Sequence, residues 1–266
     1  MSSELSMPRR LRRAEGSGAV CLTGHAAERL GLDRRRFLAA ACGSLGALFL
    51  AACDSHGPAK ARALLAFAER KNEGLERLLL HHTVMDHPPA AARAIGDRFP
   101  SYFIADTVPV WNAAARGPWA LEVSGLVRRP LRLTLADLVR LPRVTQRVDH
   151  FCVEGWTAVA ERAGVRVSEL ARLAGAAPEA RYVDFQSFDA DYHESWDIES
   201  ATHPQTLIAY AQDGRYLSPA TGAPARLHSP VKLGYKNTKY LTRVVFLRRR
   251  NGGYWSDQGY EWYAGT

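Results

Sequence analysis

The sequence predicts an α+β fold, in which mixed sheets are joined by a few short helices. Three observations carry this. Several short runs alternate apolar and polar residues with a period of two, the helical patterns are few and mostly short, and Pro and Gly punctuate the chain without a regular βαβ rhythm.

Taken in order, residues 1–53 read as an export signal rather than as part of that fold. Arg34, Arg35 and Arg36 precede FLAAACGSLGALFLAA at 37–52, an uncharged apolar stretch shorter than the roughly 20 residues that span a bilayer. RRRFL fits the twin-arginine address, by which bacteria export proteins already folded. Leu50-Ala51-Ala52-Cys53 resembles a lipobox, so the expectation is a periplasmic protein with Cys53 offering a lipid anchor; cleavage without lipid and an uncleaved anchor are the alternatives. Residues 54–100 then hold a small, polar tether (54–62) and an amphipathic helical segment. Leu64, Leu65, Phe67, Ala68, Leu75, Leu78 and Leu79 recur near helical spacing, Gly74 weakens the middle, and HHTVMDHPP with Pro88 and Pro89 ends it. His81, His82, Asp86 and His87 offer metal-ligating groups there, but the prolines break the helix that would align them.

Residues 101–266 form the main domain. In WALEVSG, Trp119, Leu121 and Val123 share one face of a strand. Thr134 with Asp137 three residues on fits a capping box that opens a helix to Leu141, stopped by Pro142. Further strands are predicted at 145–152, 182–188 and 241–247, with a helix over 167–175.

Composition narrows the function classes. With 47% hydrophobic and 23% charged residues, disorder, collagen and a disulfide scaffold are excluded. The formal charge is +8, but residues 1–53 carry eight Arg against Glu4, Glu15, Glu28 and Asp33, so half of the excess lies in the export segment and no nucleic-acid partner is expected. No GxGxxG, Walker loop, CxxC, GxSxG or internal repeat is present.

Of Cys21, Cys42, Cys53 and Cys152, only Cys152 lies beyond the export segment. A lone thiol in an oxidising compartment is buried and inert, or serves as nucleophile or metal ligand. Between residues 222 and 240, Arg226, Lys232, Lys236 and Lys239 alternate with Gly222, Pro224, Pro230 and Gly234, which makes either a phosphate cradle or a solvated basic face. Tyr254, Trp255, Tyr260, Trp262 and Tyr263 crowd the C-terminus, as core packing or as the wall of a pocket. Asp149, His150 and Cys152 outline a thiol nucleophile with a base. Asp184, Asp189, Asp191, His193 and Glu194 read as a solvated acidic loop that lines a substrate funnel, with His193 as its polar group.

Six strings, in order, carry a resemblance: WALEVSGLV (119–127), CVEGW (152–156), HPQTL (203–207), GAPAR (222–226), KLGYKNTKY (232–240) and GGYWSDQGY (252–260). Over about residues 100–266 the chain resembles the sulfite-oxidase-like molybdopterin oxidoreductases, in the bacterial branch that includes the catalytic subunit of periplasmic methionine-sulfoxide reductase. The resemblance implies a sulfite-oxidase-type molybdopterin-binding fold preceded by a helical segment. It implies a Mo-molybdopterin cofactor whose metal takes Cys152 as its one protein ligand, a soft thiolate suited to a sulfur-rich site. Arg226, Lys236, Asn237, Thr238 and Lys239 occupy positions that grip the cofactor's phosphate and pterin, Ser187 a hydroxyl position, and Thr221 a position that is Asn or His in relatives. FIADTV (103–108) stands where the family has an aromatic-Arg-Asn-His string; Phe103 keeps the aromatic, while Ala105, Asp106 and Thr107 replace the rest, leaving Phe103, Asp106 and Thr107 as cofactor-contact candidates.

The implied chemistry is two-electron oxygen-atom transfer on a small oxo-acceptor or oxo-donor substrate. Trp156 and Gly252 stand near the places where sulfite oxidases carry an arginine and a tyrosine, so sulfoxide reduction is favoured over sulfite oxidation. No haem-attachment CxxCH occurs, so a separate haem electron-transfer partner is expected, a membrane haem subunit among the candidates. The rival readings are an exported cysteine hydrolase, active without metal, and a non-catalytic lipoprotein binding module on the same fold.

Overall fold

The computed structural model describes residues 59–80, 87 and 101–266. The export signal with Cys53, the tether before residue 59, and His81, His82 and Asp86 lie outside the described residues. Two units are distinguished, Met1–Phe67 and Ala68–Thr266. Helix α1 runs unbroken over Ala59–Leu80, through Gly74. No helix among the described residues is long and apolar enough to cross a membrane.

Beyond residue 101 the elements follow the local chemistry. A one-turn helix α2 (Ala113–Arg116) is capped by Asn112, whose side chain accepts from the Ala115 amide. Strand β1 (Leu121–Gly125) buries Leu121 and Val123 completely, worth about 1.5–3 kcal/mol each, and pairs with β2 (Leu131–Leu133). The capping box forms: the Thr134 hydroxyl accepts from the Asp137 amide at 3.2 Å and the Asp137 carboxylate from the Thr134 amide at 3.0 Å, starting helix α3 (Leu135–Arg140). Strands β3 (Val144–Phe151) and β4 (Thr157–Arg166) form a long antiparallel hairpin. Helix α4 (Val167–Ala174) ends on Gly175 in the left-handed region. Then come β5 (Tyr182–Ser187), β6 (His193–Asp197), a short α5 (Ile198–Ala201), β7 (Leu207–Gln212), β8 (Arg215–Tyr216), β9 (Arg226–His228) and β10 (Leu241–Leu247).

These strands make two five-stranded sheets, the first mixed and the second antiparallel throughout. The first has the order β2-β1-β10-β5-β6, with β1 and β10 parallel; the second runs β3-β4-β7-β8, with β9 also on β7. One core joins them: Val123, Phe185, Val244 and Phe246 from the first meet Val165, Ile208 and Leu227 from the second, with Leu138 and Leu170 from the helices. Strands β4 and β7 were not anticipated. Both are buried on both faces over most of their length, so they lack the period-two alternation that marks a half-solvated strand. Ile208 and Ala209 pass so close to β4 that a Cβ on Gly164 would lie 2.1 Å from the Ile208 carbonyl oxygen, and only glycine fits there.

Candidate active site

The β3–β4 pairing ends at Phe151 opposite Thr157, leaving Cys152 at the start of the connecting turn. The Cys152 amide donates to the Trp156 carbonyl and the Gly155 amide to the Cys152 carbonyl, both at 3.0 Å. Gly155 adopts φ +84°, which glycine tolerates best. Glu154 then binds three neighbours through Oε2: the Tyr102 hydroxyl and the Trp156 indole N–H donate at 2.9 Å, and the Cys152 thiol lies 3.9 Å away. The Trp156 and Tyr102 hydrogen bonds hold the Glu154 carboxyl below its ordinary range. Cys152 is half-buried, and burial pushes its thiol up.

Cys152 lines a cavity of about 320 Å³ at the seam of the two sheets. Opposite chemistry comes from two cations. Arg226, at the start of β9, is 4% exposed; it donates to three carbonyls, those of Leu227, Thr221 and Asn237, at 3.2–3.4 Å, and burial brings it down to about 10. Lys239, just before β10, has its Nζ 5.8 Å from the centroid of Phe103 and 5.1 Å from that of Tyr240, and donates to Ser101 at 3.4 Å. Burial and then repulsion by Arg226 lower it to about 7. Neither cation has a carboxylate partner among the described residues. The nearby Asp189 carboxylate instead accepts the amides of Ile104 and Ala105, at 2.8 and 2.9 Å.

The structure brings Phe103, Cys152, Ser187, Thr221, Arg226, Asn237 and Lys239 together on this wall, and it leaves Asp106, Thr107, Lys236 and Thr238 off it. Asp106 and Thr107 are exposed, because Asp189 pins the segment two residues earlier. Lys236 is fully buried and donates to Glu194 at 2.6 Å, while Thr238 is fully buried and its hydroxyl reaches the Phe185 carbonyl at 3.4 Å. Lys232 likewise forms an internal ion pair, with Asp197 at 3.1 Å. Of the four cations in the basic loop, two therefore balance internal acids and two face the cavity. Asn237 lies on the wall, but its side-chain amide is used by the loop itself: Oδ1 accepts from Ser229 N at 2.6 Å and Nδ2 donates to the carbonyls of Lys232 and Leu233.

The acidic segment differs most from expectation. Asp184 and Glu194 are fully buried, on β5 and β6. Glu194 collects Lys236, the Trp255 amide at 3.0 Å and the Ser256 hydroxyl at 3.1 Å, and so fastens the C-terminal string to the sheet. His193 bonds Asp184 at 2.9 Å, which raises its affinity for a proton, and it lines a different, more polar cavity. The aromatic string divides: Trp255 and Tyr260 line the Cys152 cavity, while Trp262 and Tyr263 are buried in packing.

Sequence reasoning missed Tyr192 and Tyr240 on the wall. Tyr240 sits at φ +56°, unusual for an aromatic residue, and its buried hydroxyl has no partner among the described residues. Only the strained dihedral distinguishes it, and a sequence does not display that. His150 also lines the cavity and stacks on buried His228 with centroids 6.1 Å apart; burial drives His150 to about 3. A thiolate–imidazolium nucleophile is favoured by a lowered thiol and a raised imidazole, and burial shifts both groups the other way here.

Among the described residues no group of three or more His, Cys, Asp or Glu could hold a metal, so a metal at Cys152 would need most of its ligands from a cofactor. The family described as the oxidoreductase molybdopterin binding domain matches residues 107–255. A candidate protein-methionine-sulfoxide reductase subunit, YedZ1, of Azospira oryzae is 43% identical over 63% of this chain and 63% of its own length. Catalytic subunits of protein-methionine-sulfoxide reductase, MsrP, from Campylobacter jejuni and Gluconobacter oxydans are 29% and 33% identical over 55% and 49% of this chain, and over 56% and 47% of their own lengths. The chain thus spans between about half and just under two-thirds of these relatives. The solved sulfane dehydrogenase SoxCD of Paracoccus pantotrophus is 26% identical, with a TM-score of 0.47 over 50% of this chain and 39% of that one.

Proposed function

The chain belongs to the oxidoreductase molybdopterin-binding family, with Mo-molybdopterin as cofactor, and we propose that it reduces a small sulfoxide by two-electron oxygen-atom transfer. The observation that carries the reading is one cavity shared by a half-buried thiol and two cations without acid partners. The fit to the cofactor rests on the same wall. Cys152 offers the soft donor, Arg226 and Lys239 offer charge to a phosphate, and the unpartnered Tyr240 hydroxyl offers a hydrogen bond. When bound, the cofactor supplies the oxygen-atom acceptor and the two electrons.

The chain's own groups orient and exclude. Arg226, fixed by three carbonyls, presents its remaining N–H groups in a set direction, whereas Lys239 acts as a point charge. Trp156 and Tyr102 stack with centroids 6.3 Å apart beside Cys152 and form an apolar lip, with Glu154 tied to both. A neutral sulfoxide suits this mouth better than sulfite, which needs an added cation. The relatives named as protein-methionine-sulfoxide reductase subunits support the same choice. Sulfoxide reduction takes up two electrons and two protons and releases water, and we assign electron delivery to a separate haem protein. We place the site on the periplasmic side, on the strength of the twin-arginine pattern before residue 37.

The test is elemental analysis and dye-coupled turnover of protein made in a molybdopterin-competent host. Stoichiometric molybdenum, lost in Cys152→Ser, with sulfoxides turned over faster than sulfite, is the expected result. Metal-free protein, or sulfite as the better substrate, would overturn it.

A further inference from the structure

Helix α1 is oriented against its own amphipathicity. A surface helix ordinarily turns its leucines toward the core. Here Leu75, Leu78 and Leu79 are 52%, 72% and 60% exposed, while Glu73 is 9% exposed. At 3.6 residues per turn the three leucines share an arc of about 100°, and the same spacing carries exposed Leu64 and Phe67 along it. The opposite side is held to the domain by charges: Arg250 binds Glu69 at 2.8 Å and Glu73 at 3.2 Å, and Arg77 lies 3.8 Å from Glu199.

We propose that this leucine face of α1 lies on a lipid bilayer, in the headgroup region and parallel to the membrane plane. Two further observations select lipid as the occupant. Only five residues separate Cys53 of the lipobox-like string from Ala59, so an anchor at Cys53 keeps the start of α1 within about 20 Å of the membrane. The acids Glu69 and Glu73 are engaged by Arg250, while exposed Lys71 stands within the leucine arc, so the outward face presents a cation among apolar side chains, as interfacial helices do. The inference goes beyond the reading of the Cys152 cavity and does not depend on it.

The test uses the mature holoprotein with the export segment 1–53 removed, so that neither acylation nor the apolar stretch at 37–52 contributes, and flotation with vesicles of phosphatidylcholine alone or with one-third phosphatidylglycerol added. The expected result is co-flotation, stronger on the anionic vesicles, reduced about tenfold in Leu75→Glu/Leu78→Glu/Leu79→Glu. That variant keeps its circular dichroism, molybdenum content and turnover in solution, which separates failure here from failure of the proposed chemistry. Protein that does not float overturns the inference, as does flotation that survives the triple substitution. A dimer in light scattering that the substitution dissociates also overturns it, since the face would then belong to a second copy.

Discussion

Replacing Lys239 by methionine should stabilise the cofactor-free protein at pH 6 and give almost no advantage near pH 10. Among the described residues Lys239 meets two aromatic rings and forms no ion pair, and burial and Arg226 outweigh the pull of Asp189, so that its proton affinity falls from the ordinary 10.5 to about 7. Three and a half units at about 1.4 kcal/mol each set a ceiling of about 5 kcal/mol on charging it in the folded chain. Water in the open cavity screens the charge and leaves a cost on the order of 2 kcal/mol. The folded-state value lies below the unfolded one, so between about pH 7 and 10.5 the unfolded chain holds a proton that the folded chain has released. Wild-type stability therefore rises with pH through that window, and the full cost is present below it. Lys239→Met keeps most of the apolar stem and removes the charge, so its advantage is greatest at pH 6. Urea unfolding of both proteins without cofactor at pH 6, 8 and 10 measures this. With the anionic cofactor bound, the sign reverses and the variant becomes the less stable protein. If Lys239→Met is destabilising by the same amount at pH 6 and pH 10, the lysine already has an acid partner and the cavity does not call for an anion.

Three other outcomes follow from the same geometry. Glu194→Gln leaves Lys236 charged and buried, and should cost about 3–5 kcal/mol in calorimetric stability, much of it recovered in Glu194→Gln/Lys236→Met. Gly253→Ala puts a Cβ 2.1 Å from Glu194 Oε2 and should lower stability by about 2–4 kcal/mol, whereas Gly155→Ala meets no atom within 4 Å and costs only about 1 kcal/mol through its positive φ. Tyr240→Phe removes a buried hydroxyl without a partner, so urea midpoints without cofactor should stay equal or rise by about 1 kcal/mol, while molybdenum retention on dialysis falls.

What the sequence made legible was local. Thr134 and Asp137 announce their helix within four residues, and the β-branched and apolar run at Leu241–Leu247 marks a strand that is bounded at both ends. Strand β7 does not, because LIAYAQ is buried on both faces and reads equally as helix or strand. The site divides in the same way. Cys152, Arg226 and Lys239 lie in strings whose order carries the family resemblance, and the structure gathers them in one cavity. Lys236 sits in the same string, yet its partner is Glu194 on β6, more than forty residues earlier. A sequence shows how many cations a loop holds; which of them are neutralised internally depends on strand pairing far away.

That division of charge also explains why the cavity has its character. Lys232 and Lys236 neutralise Asp197 and Glu194 in the interior, so the loop that carries them is fixed before any ligand arrives. Asn237 bonds three backbone groups of the same loop and holds it in a shape that the cofactor need not induce. The adjoining cations Arg226 and Lys239 are therefore carried on a pre-formed frame, with Arg162 adding repulsion on Lys239. Such preorganisation costs stability in the empty protein and returns it when an anion binds, so the groups that destabilise the empty domain are those that select its ligand. Removing the Lys239 charge should accordingly yield a more stable empty domain that retains molybdenum less well, whereas removing Lys236 should yield a less stable domain whose remaining folded fraction still loads it.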